Sequence, residues 1–288
     1  MAKIFSGTKF ISRLLKFYTW NFPINKGKAR LVRYLHKTII EDSPVQEGKL
    51  LTGSRMILDL DSYVERRIYY LGFYRPWVFP VFKELVTNKK GFVDVGANVG
   101  PYTLAAADLM NSDGKIFSFE PDPDCFEKLM TNIQINSLSC VTTENLAISE
   151  KVGEVIFHKR NSRDDNQGQG SLAKQKFHHK NLIVTSTTLD VYFNEVNTPL
   201  DVLKIDTQGS EMRVLLGARC TISRCRPDVI LRCHEEKLNL LNDSSVAIQH
   251  FFKDLDYHLF KLVNGKEKLL PIHQIEPESD ATFVFYSK

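Results

Sequence analysis

Two glycines, an asparagine and two carboxylates mark the segment of this chain with the clearest chemistry. Residues 92–100 read Phe-Val-Asp-Val-Gly-Ala-Asn-Val-Gly, and Glu120 follows after another twenty residues. An apolar strand, a glycine turn, a helix and a second strand ending in an acidic residue are predicted here, the order that a nucleotide-type ligand requires. Glycines let the backbone approach the ligand, a helix N-terminus offers free N–H groups, and the carboxylate can accept both ribose hydroxyl protons.

The composition of the turn separates two ligands of this type. A dinucleotide site has the pattern Gly-x-Gly-x-x-Gly, in which the middle glycine makes room for the pyrophosphate. Here Asn98 takes that position, between Gly96 and Gly100. Asp94 precedes the turn, where a carboxylate repels pyrophosphate and attracts an ammonium or sulfonium group. S-adenosylmethionine (SAM) has both cations and no phosphate, so the turn favours SAM over NAD; an ordinary βα turn without a ligand is the other alternative.

A second cluster follows an apolar strand at 200–205 and reads Lys-Ile-Asp-Thr-Gln-Gly-Ser-Glu over residues 204–211. Ligands of open α/β sheets lie outside the carboxyl ends of the strands, so we expect Asp206 at the rim where SAM presents its methyl group. Methyl transfer to a hydroxyl also needs a proton acceptor. The candidates for that catalytic role are Asp206, Glu211, His234 and Glu235. Glu211 can equally complement the dipole of the helix that it begins.

Alternating apolar and amphipathic segments predict the elements that position these residues. The predicted strands lie near 92–95, 115–120, 141–147, 200–205, 227–233, 257–263 and 282–287, and the helices near 101–110, 124–136, 211–220 and 244–254. Regular alternation with short connections predicts an α/β doubly wound sheet. The last two apolar runs have no helix between them, which predicts a terminal antiparallel hairpin.

Two segments outside this alternation have open roles. The polar segment His158 to Asn181 lies between predicted strands at 152–157 and 182–189, and it is either a mobile lid at the ligand edge or a plain surface loop. Val64 to Phe73 mixes arginines with aromatic residues, which could close over a ligand, although core packing is their commoner use.

Length and composition limit the class of protein. At 288 residues with 43% hydrophobic residues, the chain can form one large domain, or one domain with an appendage. There is no run of eighteen apolar residues, so we expect no membrane-spanning helix, and Arg13 and Lys16 interrupt the place of a secretory signal. Five cysteines form no Cys-x-x-Cys pair, which indicates reduced thiols in the cytoplasm, and we predict no metal site.

The first 40 residues carry nine of the 38 Lys and Arg residues and none of the 34 Asp and Glu residues. They form a basic arm with two predicted amphipathic helices, one around Phe10 to Tyr18 and one around Leu31 to Ile39. Such helices can lie on an anionic membrane, or they can pack an apolar stripe on the domain and leave their cations in water, which is the commoner case. A peripheral position at the inner face of a membrane is therefore an alternative to a free cytoplasmic protein.

Four motifs together resemble the FkbM-type SAM-dependent methyltransferases. They are Asp-Val-Gly-Ala-Asn-x-Gly at 94–100, Phe-Glu-Pro at 119–121, Thr-Leu-Asp at 188–190 and Lys-Ile-Asp-x-Gln-Gly-x-Glu at 204–211. The resemblance covers roughly residues 60 to 235. It implies a Rossmann-like, mostly parallel sheet of seven strands and O-methylation of a hydroxyl, often of a sugar in a glycan, glycolipid or natural product. The chain would then divide into the arm at 1–48 and a class I methyltransferase domain at 49–288.

The resemblance also implies roles for single residues. The glycine turn would cradle the methionine part of SAM, Glu120 would hold the ribose, Asp122 or Ala147 would lie near the adenine, and Asp206 would face the reaction centre. The implied cofactor contacts are Asp94, Gly96, Ala97, Asn98, Gly100, Glu120, Pro121, Asp122, Ala147 and Asp206. Two departures concern the acceptor side, where Arg232 stands at a position that is often acidic in the family, and Gln208 replaces the usual glutamate.

Three other functions remain as alternatives to a sugar O-methyltransferase. A non-catalytic module could keep the fold and use the basic arm for docking. An NAD-dependent oxidoreductase is disfavoured by Asp94 and Asn98. Nucleic-acid methylation is weaker still, because the arm suits phosphates but the rest of the chain is acidic.

Overall fold

Helices and strands alternate through the described part of the chain. The computed structural model describes residues 2–22, 27–36, 44–160, 170–175, 178–194, 198–263 and 266–287. The helices are α1 (Ala2–Asn21), α2 (Lys28–His36), α3 (Tyr63–Leu71), α4 (Phe79–Val86), α5 (Pro101–Leu109), α6 (Pro123–Ile135), α7 (Leu189–Tyr192), α8 (Glu211–Leu216), α9 (Arg219–Cys225), α10 (Glu235–Leu238) and α11 (Ser245–Asp254). The strands are β1 (Val45–Lys49), β2 (Arg55–Asp59), β3 (Gly91–Val95), β4 (Lys115–Phe119), β5 (Val141–Glu144), β6 (Ala147–Ile148), β7 (Gly153–Arg160), β8 (His178–Thr187), β9 (Val202–Ile205), β10 (Asp228–His234), β11 (Tyr257–Leu262), β12 (Leu269–Pro271) and β13 (Asp280–Ser287).

The largest sheet within these residues has the strand order β12-β11-β13-β10-β9-β3-β4-β5. Strands β5, β4, β3, β9 and β10 run parallel, whereas β13 lies antiparallel between β10 and β11. The strand order reverses at β3, which has β4 on one side and β9 on the other. This switch point is where ligands bind in open α/β sheets. The protein therefore has the predicted Rossmann-like α/β fold.

Helices cover both faces of the sheet, so its central strands are buried. Every residue of β3 and of β9 is buried. Because side chains alternate along a strand, Phe92 packs in one core with α4, α5 and α6, while Val93 and Val95 pack in a second core with α8, α9 and α11. These two cores hold the strand ends in place at the switch point.

Three details differ from the predicted elements. The sheet has an eighth strand, because the short β12 pairs with β11 at the edge. The predicted strand 141–147 divides into β5 and β6, which belong to different sheets. The predicted helix 211–220 divides into α8 and α9 around Gly217, where a Cβ atom would lie 2.0 Å from the carbonyl oxygen of Ser149. Close backbone approach therefore interrupts that helix.

The polar segment after residue 157 is partly strand. Strands β7 and β8 pair antiparallel out to Arg160 and His178, so the connection between them is shorter than the predicted loop. Residues 161–169 and 176–177 lie outside the described residues. Residues 170–175 fold back along β7, where the backbone of Ser171 and His158 exchanges two hydrogen bonds of 2.8 and 3.0 Å.

The N-terminal arm packs on helix α3 through one face. Leu15 and Val32 form a small core with Tyr70 and Leu71, and the hydroxyl groups of Ser12 and Tyr70 lie 3.0 Å apart. The predicted boundary between residues 48 and 49 falls inside β1, which pairs with β2, so the arm ends before Val45. None of the described helices is both long and apolar enough to cross a bilayer.

Candidate functional site

The ends of β3, β4 and β9 open into one cleft of about 870 Å³, a volume that includes its open mouth. Most of the residues predicted to contact a cofactor line this cleft: Gly96, Ala97, Asn98, Glu120, Pro121, Asp122, Ala147 and Asp206. The fold thus brings together residues from four separate parts of the sequence.

The turn after β3 supplies a backbone floor for the cleft. Gly96 has φ +77°, and a Cβ atom there would lie 2.2 Å from the carbonyl oxygen of Asp206. The N–H groups of Gly96 and Ala97 both donate to the carbonyl oxygen of Phe119 at 3.0 Å, which ties the turn to the end of β4. Asn98 also has a positive φ of 53°. The glycine at 96 is therefore required by both conformation and space.

Glu120 lies at the end of β4 and is 5% exposed. One carboxylate oxygen accepts from the N–H of Asn98 at 2.7 Å, and the other accepts from the N–H of Asp122 at 2.9 Å. Burial raises the pKa of Glu120 to about 7, although the two N–H groups work in the opposite direction. Each oxygen retains a lone pair, so the carboxylate can accept two further hydrogen bonds from vicinal hydroxyls.

Apolar side chains form the wall beyond Glu120. They are Leu146, Ala147, Ile148, Phe157 and Leu172. Asp122 also lines this part of the cleft, but its carboxylate caps α6 and lies 2.6 Å from the ammonium nitrogen of Lys159 on β7. Lys159 therefore neutralises Asp122, and the wall presents mainly apolar surface to a flat ring.

Asp94 differs from its predicted role, because its carboxylate lies beneath the floor and not in the cleft. It is 0% exposed, and it accepts from the hydroxyl of Thr103 at 2.8 Å. Its second oxygen lies 2.8 Å from the ammonium nitrogen of Lys204, the residue directly opposite on β9. Lys204 in turn donates to the carbonyl oxygen of Gly96 at 2.6 Å. Asp94 thus holds Lys204 and, through Lys204, the glycine turn. Its carboxylate does not reach the cleft, so the predicted direct contact with a ligand cation is wrong.

Gly100 also serves packing and not the cleft. It precedes α5 with φ +94°, and a Cβ atom there would lie 2.6 Å from a side-chain carbon of Leu129. Since Leu129 belongs to α6, Gly100 allows α5 and α6 to approach closely. Its predicted contact with a cofactor is therefore replaced by a helix-packing role.

Asp206 follows β9 and lines the cleft together with Tyr74, whose hydroxyl lies near Arg232 of β10; we call this part of the cleft the acceptor side. One oxygen accepts from the side-chain amide of Gln208 at 2.7 Å, and the other lies 3.9 Å from the guanidinium of Arg232. Burial alone would raise the pKa of Asp206, but Arg232, Lys204 and Arg75 hold it below its ordinary value. Asp206 is therefore ionised at neutral pH.

Glu211 does not reach the cleft, so its predicted catalytic role is wrong. It is 1% exposed and accepts hydrogen bonds from the N–H groups of Thr207 and Gly209, at 3.0 and 3.1 Å. These bonds fold the 206–211 turn back onto the start of α8. Glu235, another candidate, accepts from the N–H of Ser245 at 2.8 Å and so caps α11.

His234 lies at the end of β10, outside the lining of the cleft. Its Nδ1 atom is 3.3 Å from a carboxylate oxygen of Asp280, its partner across the β10–β13 pair. Burial, together with Arg232 and Lys237, lowers the pKa of His234 to about 4. The imidazole is therefore neutral at neutral pH, and His234, one of the predicted candidates for the proton acceptor, does not line the cleft.

Several lining residues are ones that the motifs did not identify. Tyr74 comes from the aromatic segment, Tyr102 follows the glycine turn, and Gly170 and Leu172 come from the polar segment. Ser171 joins that segment to the catalytic side, because its hydroxyl donates to the carbonyl oxygen of Gln208 at 2.8 Å. The mixture of arginines and aromatic residues before residue 75 was the feature of the sequence that could have identified Tyr74 as a lining residue.

The doubly wound sheet and the cleft at its switch point define a Rossmann-like nucleotide-binding protein with a ribose-type carboxylate at Glu120. The model of the Methyltransferase FkbM domain matches residues 94–259, more than half of the chain. The chain belongs to the FkbM methyltransferase family, which confirms the resemblance seen in its motifs.

Two curated relatives carry sugar-related names. The 2-O-methyltransferase NoeI of Sinorhizobium fredii is 26% identical over 147 residues, which cover 46% of this chain and 59% of that protein. The hexuronic acid methyltransferase AglP of Haloferax volcanii is 27% identical over 128 residues, which cover 43% and 48%. The chain spans about half the length of the curated relatives that it matches. A solved FkbM methyltransferase from Methylobacillus flagellatus aligns with 89% of this chain and 58% of its own at 14% identity and a TM-score of 0.46.

The cleft fits SAM in its chemistry. The backbone of Gly96 lines the cleft, and Glu120 offers acceptors suited to the two ribose hydroxyls. The apolar wall around Ile148 and Phe157 suits the adenine ring. When bound, SAM supplies an electrophilic methyl group on a sulfonium centre.

Proposed function

We propose that this chain transfers a methyl group from SAM to a hydroxyl group of a sugar, in a glycan, a glycolipid or a related natural product. The observation that carries this proposal is the ionised Asp206 at the lining of the cofactor cleft, on the side away from Glu120. The names of the two curated relatives, a 2-O-methyltransferase and a hexuronic acid methyltransferase, support a sugar acceptor.

Asp206 has the properties of a proton acceptor for an alcohol. A hydroxyl is a weak nucleophile, but its proton becomes strongly acidic once its oxygen has begun to bond to carbon. A carboxylate of low pKa can accept that proton late in the reaction, and it holds the hydroxyl beforehand through a charge-assisted hydrogen bond. The amide of Gln208 fixes the carboxylate through a 2.7 Å bond. Positioning of this kind supplies a large part of the rate enhancement in a displacement reaction.

His234 and Asp280 are placed to support Arg232 and not to contact the acceptor. Arg232 lies 3.9 Å from the carboxylates of both Asp206 and Asp280. His234 is neutral, so the carboxylate of Asp280 balances the positive charge of Arg232 and not one on the imidazole. We therefore assign His234 a positioning role.

Methyl transfer to a panel of neutral and acidic hexosides tests the proposal. The protein is incubated with SAM labelled in its methyl group, and methylated sugars are separated and identified by mass spectrometry. We expect label in at least one sugar, and a loss of about 10² to 10⁴ in kcat for Asp206→Asn, the range typical of a removed general base. Lys115→Met, an exposed substitution at the other end of β4, is the control.

Calorimetric titration of the protein with SAM and, separately, with NAD distinguishes the methyltransferase from a non-catalytic module and from an oxidoreductase. SAM binding without transfer to any member of the panel would favour a non-catalytic module. NAD binding in place of SAM would favour an oxidoreductase and would overturn the reading of the glycine turn.

We also propose that the arm binds an anionic membrane surface, as a peripheral protein on the cytoplasmic side. Although α1 packs on α3 through Ser12, Leu15 and Trp20, the rest of the arm exposes large apolar side chains. They are Ile11, Leu14, Phe17, Phe22, Leu31 and Tyr34. Exposed arginines at 13, 30 and 33 accompany them. Apolar side chains among cations are typical of helices that lie in a lipid headgroup region.

Vesicle sedimentation tests the membrane proposal without removing the arm, since deleting it would uncover Tyr70 and Leu71. Phe17→Ser combined with Leu14→Ser should weaken binding to vesicles that contain phosphatidylserine, and raised salt should do the same. Ile183→Ser, at a residue of β8 that is 72% exposed, is the matched control. Equal sedimentation of both variants and the unchanged protein would contradict the proposal.

A further inference from the structure

In Arg67 of α3, two of the three guanidinium nitrogens have a hydrogen-bond acceptor among the described residues. Its Nε donates to the carbonyl oxygen of Tyr74 at 2.9 Å, and one terminal nitrogen donates to the hydroxyl of Tyr63 at 2.9 Å. The other terminal nitrogen, Nη2, is buried and has no acceptor among the described residues. No carboxylate of the described chain lies within ion-pair distance of Arg67, which is surrounded by the rings of Tyr63, Tyr74 and Trp77 at 5.5 to 5.7 Å.

Trp77 presents a second donor in the same place. Its ring lies 5.6 Å from the guanidinium of Arg67 and 5.4 Å from that of Arg75. Its indole Nε1 is also buried without an acceptor in the described part of the chain. A buried donor without an acceptor costs free energy, so two of them side by side indicate a group that arrives from outside.

Tyr74 connects these donors to the acceptor side of the cleft. It lines the cleft, and its hydroxyl lies 3.5 Å from a terminal nitrogen of Arg232. The Nε atom of Arg232 is a third buried donor without a hydrogen-bond acceptor in the described residues, because it lies 3.9 Å from the carboxylate of Asp280. The carboxylate of Asp206 lies 3.9 Å from a terminal nitrogen of the same guanidinium. Arg75 donates to the hydroxyl of Thr282, the residue directly opposite Arg232 on β13. Three guanidinium groups therefore surround Tyr74 and Trp77, and the carboxylates of Asp206 and Asp280 lie beside that of Arg232.

We propose that Arg67 and Trp77, with Arg232 beside them, bind an oxyanion of the methyl acceptor, a carboxylate or a phosphate. This inference rests on the proposed function, because it places the acceptor next to Asp206. A guanidinium and an indole donate hydrogen bonds and accept none, which matches an oxyanion and not a neutral hydroxyl. The aromatic rings exclude water and so strengthen a charge-assisted bond.

Since the donors are buried, an oxyanion reaches them only when the side chain of Tyr74 or Trp77 moves. Binding should therefore change the surroundings of the Trp77 indole. The chain has two tryptophans, Trp20 and Trp77, so a ¹⁵N-labelled protein has two indole N–H signals, and Trp77→Phe assigns them.

Titration of the full chain, saturated with S-adenosylhomocysteine, measures this change. The probes are glucuronate, glucose 1-phosphate and glucose, with inorganic phosphate as a fourth. We expect the Trp77 signal to shift saturably with the anionic probes while the Trp20 signal stays in place. We also expect the Kd of at least one anionic sugar to lie tenfold or more below that of glucose. The comparison of glucuronate with glucose 1-phosphate identifies which oxyanion the site prefers.

Variants separate the binding role from a structural one. Trp77→Phe keeps the ring and removes only the donor, and Arg67→Lys keeps the charge and removes the planar fork. Each should raise the Kd of the anionic sugar about tenfold and leave the Kd of S-adenosylhomocysteine unchanged. Arg219→Gln is the matched control, because its guanidinium also lies over a ring, that of Phe251, at 5.2 Å.

The proposal is overturned if the Trp77 signal does not move with any anionic probe, or if glucose binds as tightly as glucuronate and glucose 1-phosphate. It is also overturned if both variants bind the anionic sugars as the unchanged protein does. Failure of the proposed function gives a different result, because the Trp77 signal then shifts with the anionic probes but no sugar of the panel is methylated.

Discussion

The two sides of the cleft are built in different ways. The polar part of the cofactor side is made of backbone and of one carboxylate, from two short stretches around Gly96 and Glu120, beside the apolar wall around Ile148 and Phe157. The acceptor side is made of long side chains, Tyr74, Asp206 and Arg232 among them, which come from separate parts of the sequence. On the first side each polar group already has a backbone partner; on the second, several donors have no acceptor in the described residues.

This difference predicts that substitutions on the two sides have different effects. A backbone site tolerates substitution of its neighbours, because N–H groups and carbonyl oxygens do not change with the side chain. A site made of arginines and aromatic rings changes with each substitution. We expect the four substitutions below to show the two kinds of effect.

The largest effect should come from the support of the cofactor side. Lys204→Met leaves Asp94 buried without its cation, and loss of one partner of a buried ion pair costs about 3 to 5 kcal/mol. Denaturant unfolding measures this loss in the free energy of unfolding. Adding Asp94→Asn to Lys204→Met should restore part of it, and a double variant as unstable as Lys204→Met alone would contradict the pairing.

A slightly smaller loss is expected from the glycine turn. Gly96→Ala combines a positive φ with a clash against the backbone of Asp206, and we expect about 3 kcal/mol of destabilisation. Gly53→Ala is the control, because Gly53 also has a positive φ, of 113°, but no atom within 4 Å of the added Cβ. Its cost should be about 1 kcal/mol. Equal costs in thermal or denaturant unfolding would show that space at residue 96 does not matter.

Glu120 should affect affinity and its dependence on pH. Glu120→Gln removes a charged acceptor of the ribose, and we expect S-adenosylhomocysteine to bind at least about tenfold more weakly. Because the pKa of Glu120 in the free protein is about 7, the ionised form that accepts the hydroxyl protons is lost below that pH. Affinity of the unchanged protein should therefore rise between pH 6 and pH 8, and that of Glu120→Gln should stay level. Calorimetry at these two pH values is the check, and parallel pH dependence of both proteins would contradict it.

The smallest effect concerns the electrostatics of the acceptor side. Arg232→Gln removes the cation that contributes most to the low pKa of Asp206. The pKa of Asp206 should then rise, and activity should be lost at a pH about one unit higher on the acid side. The pH profile of kcat, measured with an acceptor from the sugar panel, shows this shift. An unchanged acid limb would mean that Asp206 does not accept the proton.

The sequence predicted the cofactor side better than the acceptor side for a physical reason. The order of strand, turn, helix and strand fixes where Gly96 and Glu120 lie, because local backbone geometry places both. The position of Asp94 was not predicted because its carboxylate pairs with Lys204. The two residues lie opposite each other only because of the register between β3 and β9, which the sequence does not show. The position of Glu211 was not predicted because it depends on how the 206–211 turn folds back onto α8, and the motif alone does not show that fold.

The sequence motifs could not predict which residues come together on the acceptor side. Arg67 and Trp77 lie before the first motif, and they reach Arg232 only through Tyr74 and the β10–β13 pair. Contacts over such distances in sequence depend on packing between elements. Thr-Leu-Asp, one of the four motifs of the family, joins α7 to α9, because Asp190 accepts from the N–H groups of Cys220 and Thr221 at 3.1 and 2.7 Å.

The most direct test of the two-sided cleft is calorimetric titration of S-adenosylhomocysteine into the unchanged protein, Glu120→Gln and Asp206→Asn, with methyl transfer measured on the same samples. We predict that Glu120→Gln loses affinity at least about tenfold, whereas Asp206→Asn binds within about threefold of the unchanged protein and loses methyl transfer. If Asp206→Asn loses affinity as strongly as Glu120→Gln, or keeps its methyl transfer, then the division of the cleft into a cofactor side and an acceptor side is wrong.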